Sequence, residues 1–299
     1  MADTVKFIVT KEYDGTKAGR FLRSYCKLSA RSLSLLKRTE GGITANGSLL
    51  RTVELVREGD LIEIKLPDEQ SSITPVKGEL DVLFEDEYLL IVNKPAAMPV
   101  HPVKIHQTDT LSNIIAYRCK EIGSDFVFRA INRLDRDTSG IVIVAKDRHT
   151  ASLMQNTKID KHYYALCHGT VQISGTVNAP IALSQNSKIV RCVSPMGQNA
   201  VTHYKKIKSF SDYASLVDLV LETGRTHQIR CHMSYIGHPL LGDDLYGGSL
   251  DLISRQSLHC YSSSFIHPFS KEMICVNAQL PADMKNLINR LEAGDYNEK

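Results

Sequence analysis

The sequence predicts an α+β protein: a mixed, mainly antiparallel sheet domain preceded by a small N-terminal α/β domain. Three observations predict it. Beyond about residue 80 the apolar residues fall into short runs and alternations suited to strands, with few helical stretches and no regular strand–helix alternation. A polar, proline-containing stretch, residues 67–79 (PDEQSSITPVKGE), reads as a linker. Ahead of it, residues 15–38 carry Lys17, Arg20, Arg23, Lys27, Arg31, Lys37 and Arg38 and no acidic residue, a basic surface in a chain whose net charge is only +3. The expected boundaries are therefore 1–66 for the first domain, 67–79 for the linker and 80–299 for the second. A chain of 299 residues is long enough to bury a core in each.

Each element follows from its local pattern. Ala18, Phe21, Leu22 and Tyr25 recur at helical steps, and Ser29 is placed to cap a second helix carrying Leu33, Leu35 and Leu36. Gly41-Gly42 ends that helix, Asn46-Gly47 signals a two-residue hairpin, and GDLIEIKL (59–66) alternates as a strand. After the linker, residues 80–94 give two short strands with a turn at Glu85 to Glu87, followed by a proline-rich loop. Ile141 to Ala145 is a β-branched run of the kind that fills a buried strand, HTASLMQNT (149–157) a helix, KHYYALCHGTV (161–171) a strand, and residues 171–222 a succession of short strands. THQIRCHMSYIGHP (226–239) predicts a helix with Thr226 as N-cap, Ile229, Met233 and Ile236 on one face, and Gly237 then Pro239 as the stop.

Composition excludes several classes. No stretch reaches the roughly 18 consecutive apolar residues of a membrane span, and the N-terminus lacks the apolar segment of a signal peptide, so a cytoplasmic protein with no membrane partner is expected. Seven scattered cysteines without a C-x-x-C spacing point to reduced, mostly buried thiols rather than a disulfide framework or a zinc site.

Charge beside the buried run is the feature that asks for a function. In INRLDRDTSGIVIVAK (131–146), Arg133, Asp135, Arg136 and Asp137 directly precede the β-branched residues. If the segment is extended, Arg133, Asp135 and Asp137 project to one side and Asn132, Leu134 and Arg136 to the other. A carboxylate beside a guanidinium is held ionised, which suits a nucleophile or charge stabiliser and makes a poor general acid. An ion-paired network that merely caps the strand explains the pattern as well. A glycosidase pair of Asp135 and Asp137 is disfavoured, because one member needs a raised pKa and both sit among arginines. A second cluster comprises Arg225, His227, Arg230 and His232; as metal ligands His227, His232 and His238 would be spaced by steps that do not share a helix face, and no H-E-x-x-H occurs, so packing histidines are expected and no metal. In KHYYALCHG, Tyr163 lies on one strand face with Lys161 and Ala165, as packing or as an aromatic surface for a base, worth about 1 to 3 kcal/mol of stacking.

Six blocks in register resolve the ambiguity: VNKPAAMPVHP, NRLDRDTSGIVIVAK, KHYYALCHG, GQNAVTHY, TGRTHQIRCHMSYIGHPLLGDDLYGG and LHCYSSSFIHP. Together they resemble the RluA-type family of pseudouridine synthases over nearly all of residues 81–285. Residues 12–66, with the basic helix pair, the I-T-A-N-G hairpin and Gly59-Asp60, resemble the alpha-L RNA-binding domain. The resemblance implies a pseudouridine synthase fold and isomerisation of uridine to pseudouridine in structured RNA, ribosomal RNA of the large subunit ahead of transfer RNA, with no cofactor and no metal and a monomer as the default. It implies Asp135 as catalytic aspartate, Tyr163 as active-site tyrosine and Arg230 as the arginine partner of the aspartate. Arg133 is then the residue that helps occupy the space of the extruded base, and Leu241 part of the apolar wall beside the uracil. Lys17, Arg20, Arg23, Lys27, Arg31, Lys37 and Arg38 become contacts to RNA phosphates. Asn132 departs from the histidine that many members carry before R-L-D, and its side chain is expected to point away from Asp135. A non-catalytic RNA-binding or ribosome-assembly factor is the alternative, against which the three retained residues argue.

Overall fold

Ile62 and Ile64, alternating with Glu63 in the predicted strand, are both buried and set the core of the first part of the molecule. In a computed structural model, which describes residues 4–65, 73–123 and 127–296 apart from the Arg31 side chain, the chain divides into two compact units. The first holds residues 1–72 and 148–156, the second residues 73–147 and 157–299.

The first unit opens with β1 (Thr4–Ile8), which the sequence reading did not anticipate, followed by α1 (Ala18–Ser24), α2 (Ala30–Leu36), β2 (Ile43–Ala45), β3 (Ser48–Leu49) and β4 (Leu61–Lys65). The strands form an antiparallel sheet in the order β1-β4-β2-β3. Phe21, Leu22, Leu33 and Leu36 drop from the helices onto it. Ser29 caps α2 as expected, its hydroxyl accepting from the Ser32 backbone N–H at 3.0 Å. Asn46 and Gly47 both take positive φ (51° and 81°), as a two-residue hairpin turn requires.

The second unit begins at residue 73, inside the expected linker. Residues 67–72 lie outside the described residues, but the stretch after them is tied to Asn113 at two points: Asn113 donates to the Thr74 carbonyl at 2.7 Å, and Val76 N–H donates to the Asn113 carbonyl at 3.0 Å. Its elements are β5 (Asp81–Glu85), β6 (Leu89–Lys94), α3 (Leu111–Glu121), β7 (Arg129–Ala130) and β8 (Ser139–Ala145). Next comes α4 (Arg148–Met154), which groups with the first unit. The expected boundary at 80–299 is therefore interrupted, because His149 packs edge-on against Phe7 (5.6 Å) and Ser152 bonds the Lys27 carbonyl. The chain continues through β9 (Ile159–His168), β10 (Ser174–Asn178), β11 (Ile181–Leu183), β12 (Arg191–Val193), β13 (Val201–Phe210) and β14 (Ala214–Leu221). It ends with α5 (Gln228–Tyr235), β15 (Leu258–Ile266), β16 (Met273–Asn277) and α6 (Ala282–Glu292).

One ten-stranded sheet organises this unit, in the order β10-β13-β14-β9-β15-β8-β6-β5, with β16 and β7 attached to β15 and β8. All its neighbours are antiparallel except β15 and β8, which run parallel through His259–Ser139 and Cys260–Gly140. The mixed, mainly antiparallel α+β class is thus the observed one. Strand β8 is buried along its whole length, as its β-branched run predicts. Residues 171–222, expected as short strands, include β13 and β14 of ten and eight residues.

Gly140 makes the parallel junction possible. Its φ is +116°, and a Cβ there would lie 2.2 Å from the Cys260 carbonyl oxygen. Gly140→Ala combines that overlap with a backbone conformation that L-residues avoid. It is expected to lower stability by about 3 kcal/mol or more, measured by urea unfolding.

Candidate active site

The charged segment that precedes β8 is held from below by an asparagine. Asn132 donates to the Ile141 carbonyl at 2.9 Å and accepts from the Ile143 N–H at 2.8 Å, so its amide pairs with β8 as a neighbouring strand would. That accounts for its burial and turns its amide toward β8, while the residue still borders the cleft. Leu134 is buried beside it. Thr138 N–H then bonds the Asp135 carbonyl at 3.1 Å and closes a turn. The turn breaks the strict alternation expected of an extended segment: Arg136 swings to solvent and pairs with Asp137 (2.8 Å) instead of sharing the side of Asn132 and Leu134. Asp135 is left at the apex, 27% exposed.

A lysine ties this turn to the loop after β6. Lys94 is fully buried at the end of β6 and donates to the carbonyls of Pro95 (2.8 Å), Met98 (2.8 Å) and Arg136 (3.0 Å). The ammonium has three donors and all three are used. Burial pulls its pKa from 10.5 down to about 7, against the charges of Asp137 and Asp135. Sequence reading passed over Lys94; a lysine at the end of an otherwise apolar strand, LLIVNK, was the available signal.

The opposite wall comes from α5. Its first turn differs from expectation, since the N-cap is His227, in the left-handed conformation (φ 56°, ψ 21°), rather than Thr226. The Gln228 side chain explains the shift: its oxygen accepts from Thr223 and from Arg225 N–H, folding residues 223–228 into a turn before the helix. Arg230, 5% exposed, follows one turn on. Its guanidinium is gripped bidentately by the buried Asp243, with Nε and Nη2 each 2.7 Å from a carboxylate oxygen, and lies 5.0 Å from the centre of the Tyr246 ring. Burial opposes the charge, but Asp243 more than offsets it and the pKa of Arg230 is raised. The free edge of the guanidinium faces Asp135: Nη1 is 3.5 Å from Oδ2, and His227 Nε2 is 3.8 Å from the same oxygen. Arg230 is therefore beside the aspartate, as expected, while its hydrogen-bonded partner is Asp243.

A cleft of about 890 Å³ opens beside β9, β15 and the turn that precedes β8. Asn132, Arg133, Asp135, Lys161, Tyr163, Arg225, His227 and Arg230 line it, together with Leu134, Ile229 and Leu258. Tyr163 is raised well above the ordinary phenol pKa, by burial first and then by its Cys260 neighbour and the charge of Asp135. Leu241, expected in the apolar wall, is not part of this lining. It packs with Leu166, Met284 and Leu287 in the core beneath α6, and the cleft takes its apolar surface from Leu134, Ile229 and Leu258 instead. The histidines weighed as metal ligands disperse: His232 bonds Thr202 and the Ala179 carbonyl, and His238 the His168 carbonyl.

The chain that carries this cleft is similar to known proteins over most of its length. A family model described as RNA pseudouridylate synthase covers residues 88–235. The protein named uncharacterized RNA pseudouridine synthase YhcT, of Bacillus subtilis (strain 168), is 45% identical over 240 residues, 78% of this chain and 80% of the relative. The chain belongs to the RNA pseudouridine synthase family. Ribosomal large subunit pseudouridine synthase D of Zymomonas mobilis is 36% identical to this synthase over 98% of this chain and 99% of the relative. The solved structure of human RNA pseudouridylate synthase domain containing 4 aligns with a TM-score of 0.57 at 25% identity, covering 71% of this chain and 92% of that one.

In this synthase His227, Asp243, Tyr246 and Leu258 join the residues that the sequence singled out for the site. The sequence predicts a packing role for His227 and none for Asp243 in GDDLYGG; a carboxylate that far from Arg230 in sequence gives no local sign of the pairing. Asp243→Ala leaves the Arg230 charge buried without its partner, and is expected to destabilise the fold by about 3 to 5 kcal/mol in urea titrations, with Asp243→Asn milder.

Proposed function

We propose that this RNA pseudouridine synthase acts on uridines of large-subunit ribosomal RNA, with Asp135 as the carboxylate that meets the ribose of the everted nucleotide. The observation that carries the assignment is the convergence of Arg230 and His227 on a half-buried Asp135 inside a cleft of about 890 Å³. A cleft of this size accommodates a nucleotide out of its stack, and leaving the stack costs a few kcal/mol. The reaction breaks the bond from N1 to C1′, turns the uracil, joins C5 to C1′ and transfers the C5 proton to N1, so atoms balance without an oxidant or a leaving group. Arg230 faces Asp135 with its positive charge and aims it. Tyr163 presents a neutral aromatic surface for the uracil, and exposed Arg133, at the cleft lining, occupies the room that the everted nucleotide vacates in the RNA.

The substrate reading is supported by the relative from Zymomonas mobilis, whose name specifies the large ribosomal subunit and whose whole length aligns. The first unit supports structured RNA as the target and an alpha-L assignment. Lys17, Arg20, Arg23, Lys27, Lys37 and Arg38 are exposed there and form no ion pair with a described residue, so their charge is available to phosphates; the Arg31 side chain lies outside the described residues.

Three experiments test this. Asp135→Asn is expected to abolish tritium release from RNA labelled at uridine C5 while RNA binding stays within about threefold, a separation of chemistry from binding; undiminished release removes Asp135 from the reaction. Pseudouridine mapping in cells with and without the gene is expected to show sites lost from large-subunit ribosomal RNA, and loss confined to transfer RNA would overturn the substrate. Replacing Lys17, Arg20 and Arg23 together with alanine is expected to flatten the dependence of log K on log salt by about 0.7 to 0.9 for each phosphate contact removed.

A further inference from the structure

Resting on the reading that Asp135 meets the ribose, we infer that His227 is a positioning residue for the reaction: as a neutral imidazole with its proton on Nε2, it fixes which oxygen of Asp135 is free to act. Hydrogen-bond counting assigns the tautomer. The Tyr246 hydroxyl accepts the Arg191 backbone N–H at 2.8 Å and lies 2.9 Å from His227 Nδ1. A phenol has one proton to give, and Nδ1 is the acceptor beside it among the described residues. If Nδ1 carried a hydrogen, the hydroxyl would face two donors and its own proton would have no acceptor. The proton therefore passes from Tyr246 to Nδ1, and the imidazole keeps its other hydrogen on Nε2, the atom facing Asp135.

The same reasoning keeps the ring uncharged. An imidazolium would turn Nδ1 into a donor against the Tyr246 oxygen. The groups facing His227 are Asp135 from the turn before β8, Arg230 from α5, Asp243 and Tyr246 from the 3₁₀ turn Asp244–Tyr246 and its cap, and Arg191 from β12. Burial comes first among the influences on its titration, and with the two arginines it outweighs the two carboxylates, so the pKa is lowered from 6.5.

Geometry gives the positioning. Arg230 Nη1 and His227 Nε2 both face the same oxygen of Asp135, Oδ2, at 3.5 Å and 3.8 Å. Two N–H groups that face one oxygen, both beyond the length of a short hydrogen bond, bias the carboxylate against rotating and turn the other oxygen toward the cleft as the reactive atom. A single donor from Arg230 would leave that rotation open. The left-handed backbone at His227 (φ 56°) is what turns the ring over the carboxylate, a conformation that side chains other than glycine rarely hold.

The test separates the donor from the backbone. His227→Ala removes both donor and ring; His227→Asn suits the left-handed backbone but is too short to reach Oδ2; His227→Gln is less suited to the backbone but carries an N–H donor to the reach of Nε2. With single-turnover tritium release on C5-labelled RNA, His227→Ala and His227→Asn are expected to lose about 10- to 100-fold in rate with RNA affinity within about threefold, and His227→Gln to recover most of the rate. The wild-type rate is expected to fall as pH drops through a value below 6.5, where the ring charges, and His227→Gln to lack that fall. A wild-type rate in His227→Ala overturns the inference. So does a rate for His227→Asn equal to or above that of His227→Gln, or an acid fall retained in His227→Gln. Urea midpoints, measured in parallel, confirm that each variant is folded under assay conditions. Asp135→Asn run alongside tells the two readings apart: if it too is active, the assignment of Asp135 has failed; if it is inactive while His227→Ala is not, only the role of His227 has.

Discussion

A guanidinium buried to 5% exposure needs a counter-charge, and Asp243 supplies it with two hydrogen bonds of 2.7 Å. That pair is the constraint on which the cleft is built. It spends two edges of the Arg230 fork on structure and leaves Nη1 to face Asp135, at a distance of an ion pair without a short hydrogen bond. Had Arg230 bonded Asp135 bidentately, both carboxylate oxygens would be held by the guanidinium. With Asp243 taking that role, Asp135 keeps its partial exposure and faces Arg230 without a short hydrogen bond.

The turn that carries Asp135 is held with comparable economy of contacts. Asn132 ties its start to β8 and the Lys94 ammonium ties its middle to the loop after β6, both through backbone partners, so the apex side chain takes no part in holding the turn. A carboxylate engaged in stabilising its own loop would resist the movement of charge during a reaction. Here support and chemistry fall on different residues, which is the condition for a site that is both rigid and reactive.

The sequence made these parts legible unequally. Local patterns found the Ser29 cap, the Asn46-Gly47 hairpin and the buried run at β8, because each depends on residues within a few positions. The charged turn was found because charge beside a β-branched run is unusual. The Arg230–Asp243 pair joins residues 13 apart across the end of α5, and Lys94 meets Arg136 from 42 residues away, so neither leaves a local signature. Leu241 was misplaced for the same reason: an apolar residue near the motif can face the cleft or the core beneath α6, and only packing decides. The interrupted domain boundary at residues 148–156 likewise depends on contacts with Phe7 and Lys27 that no window along the chain contains.

Tyr163 shows how burial narrows the choice of chemistry. Its phenol is enclosed, beside Cys260 and within range of the Asp135 charge, and all three influences raise its pKa. To take the C5 proton as a phenolate it would first have to lose its own proton into a site that already holds one anion, and the electrostatic cost rises with the dryness of the cleft. A neutral ring has no such cost and offers its face to the uracil through every step of the isomerisation. On the proposed assignment the cleft therefore keeps a single negative charge, on Asp135, with the neutral ring of Tyr163 beside it.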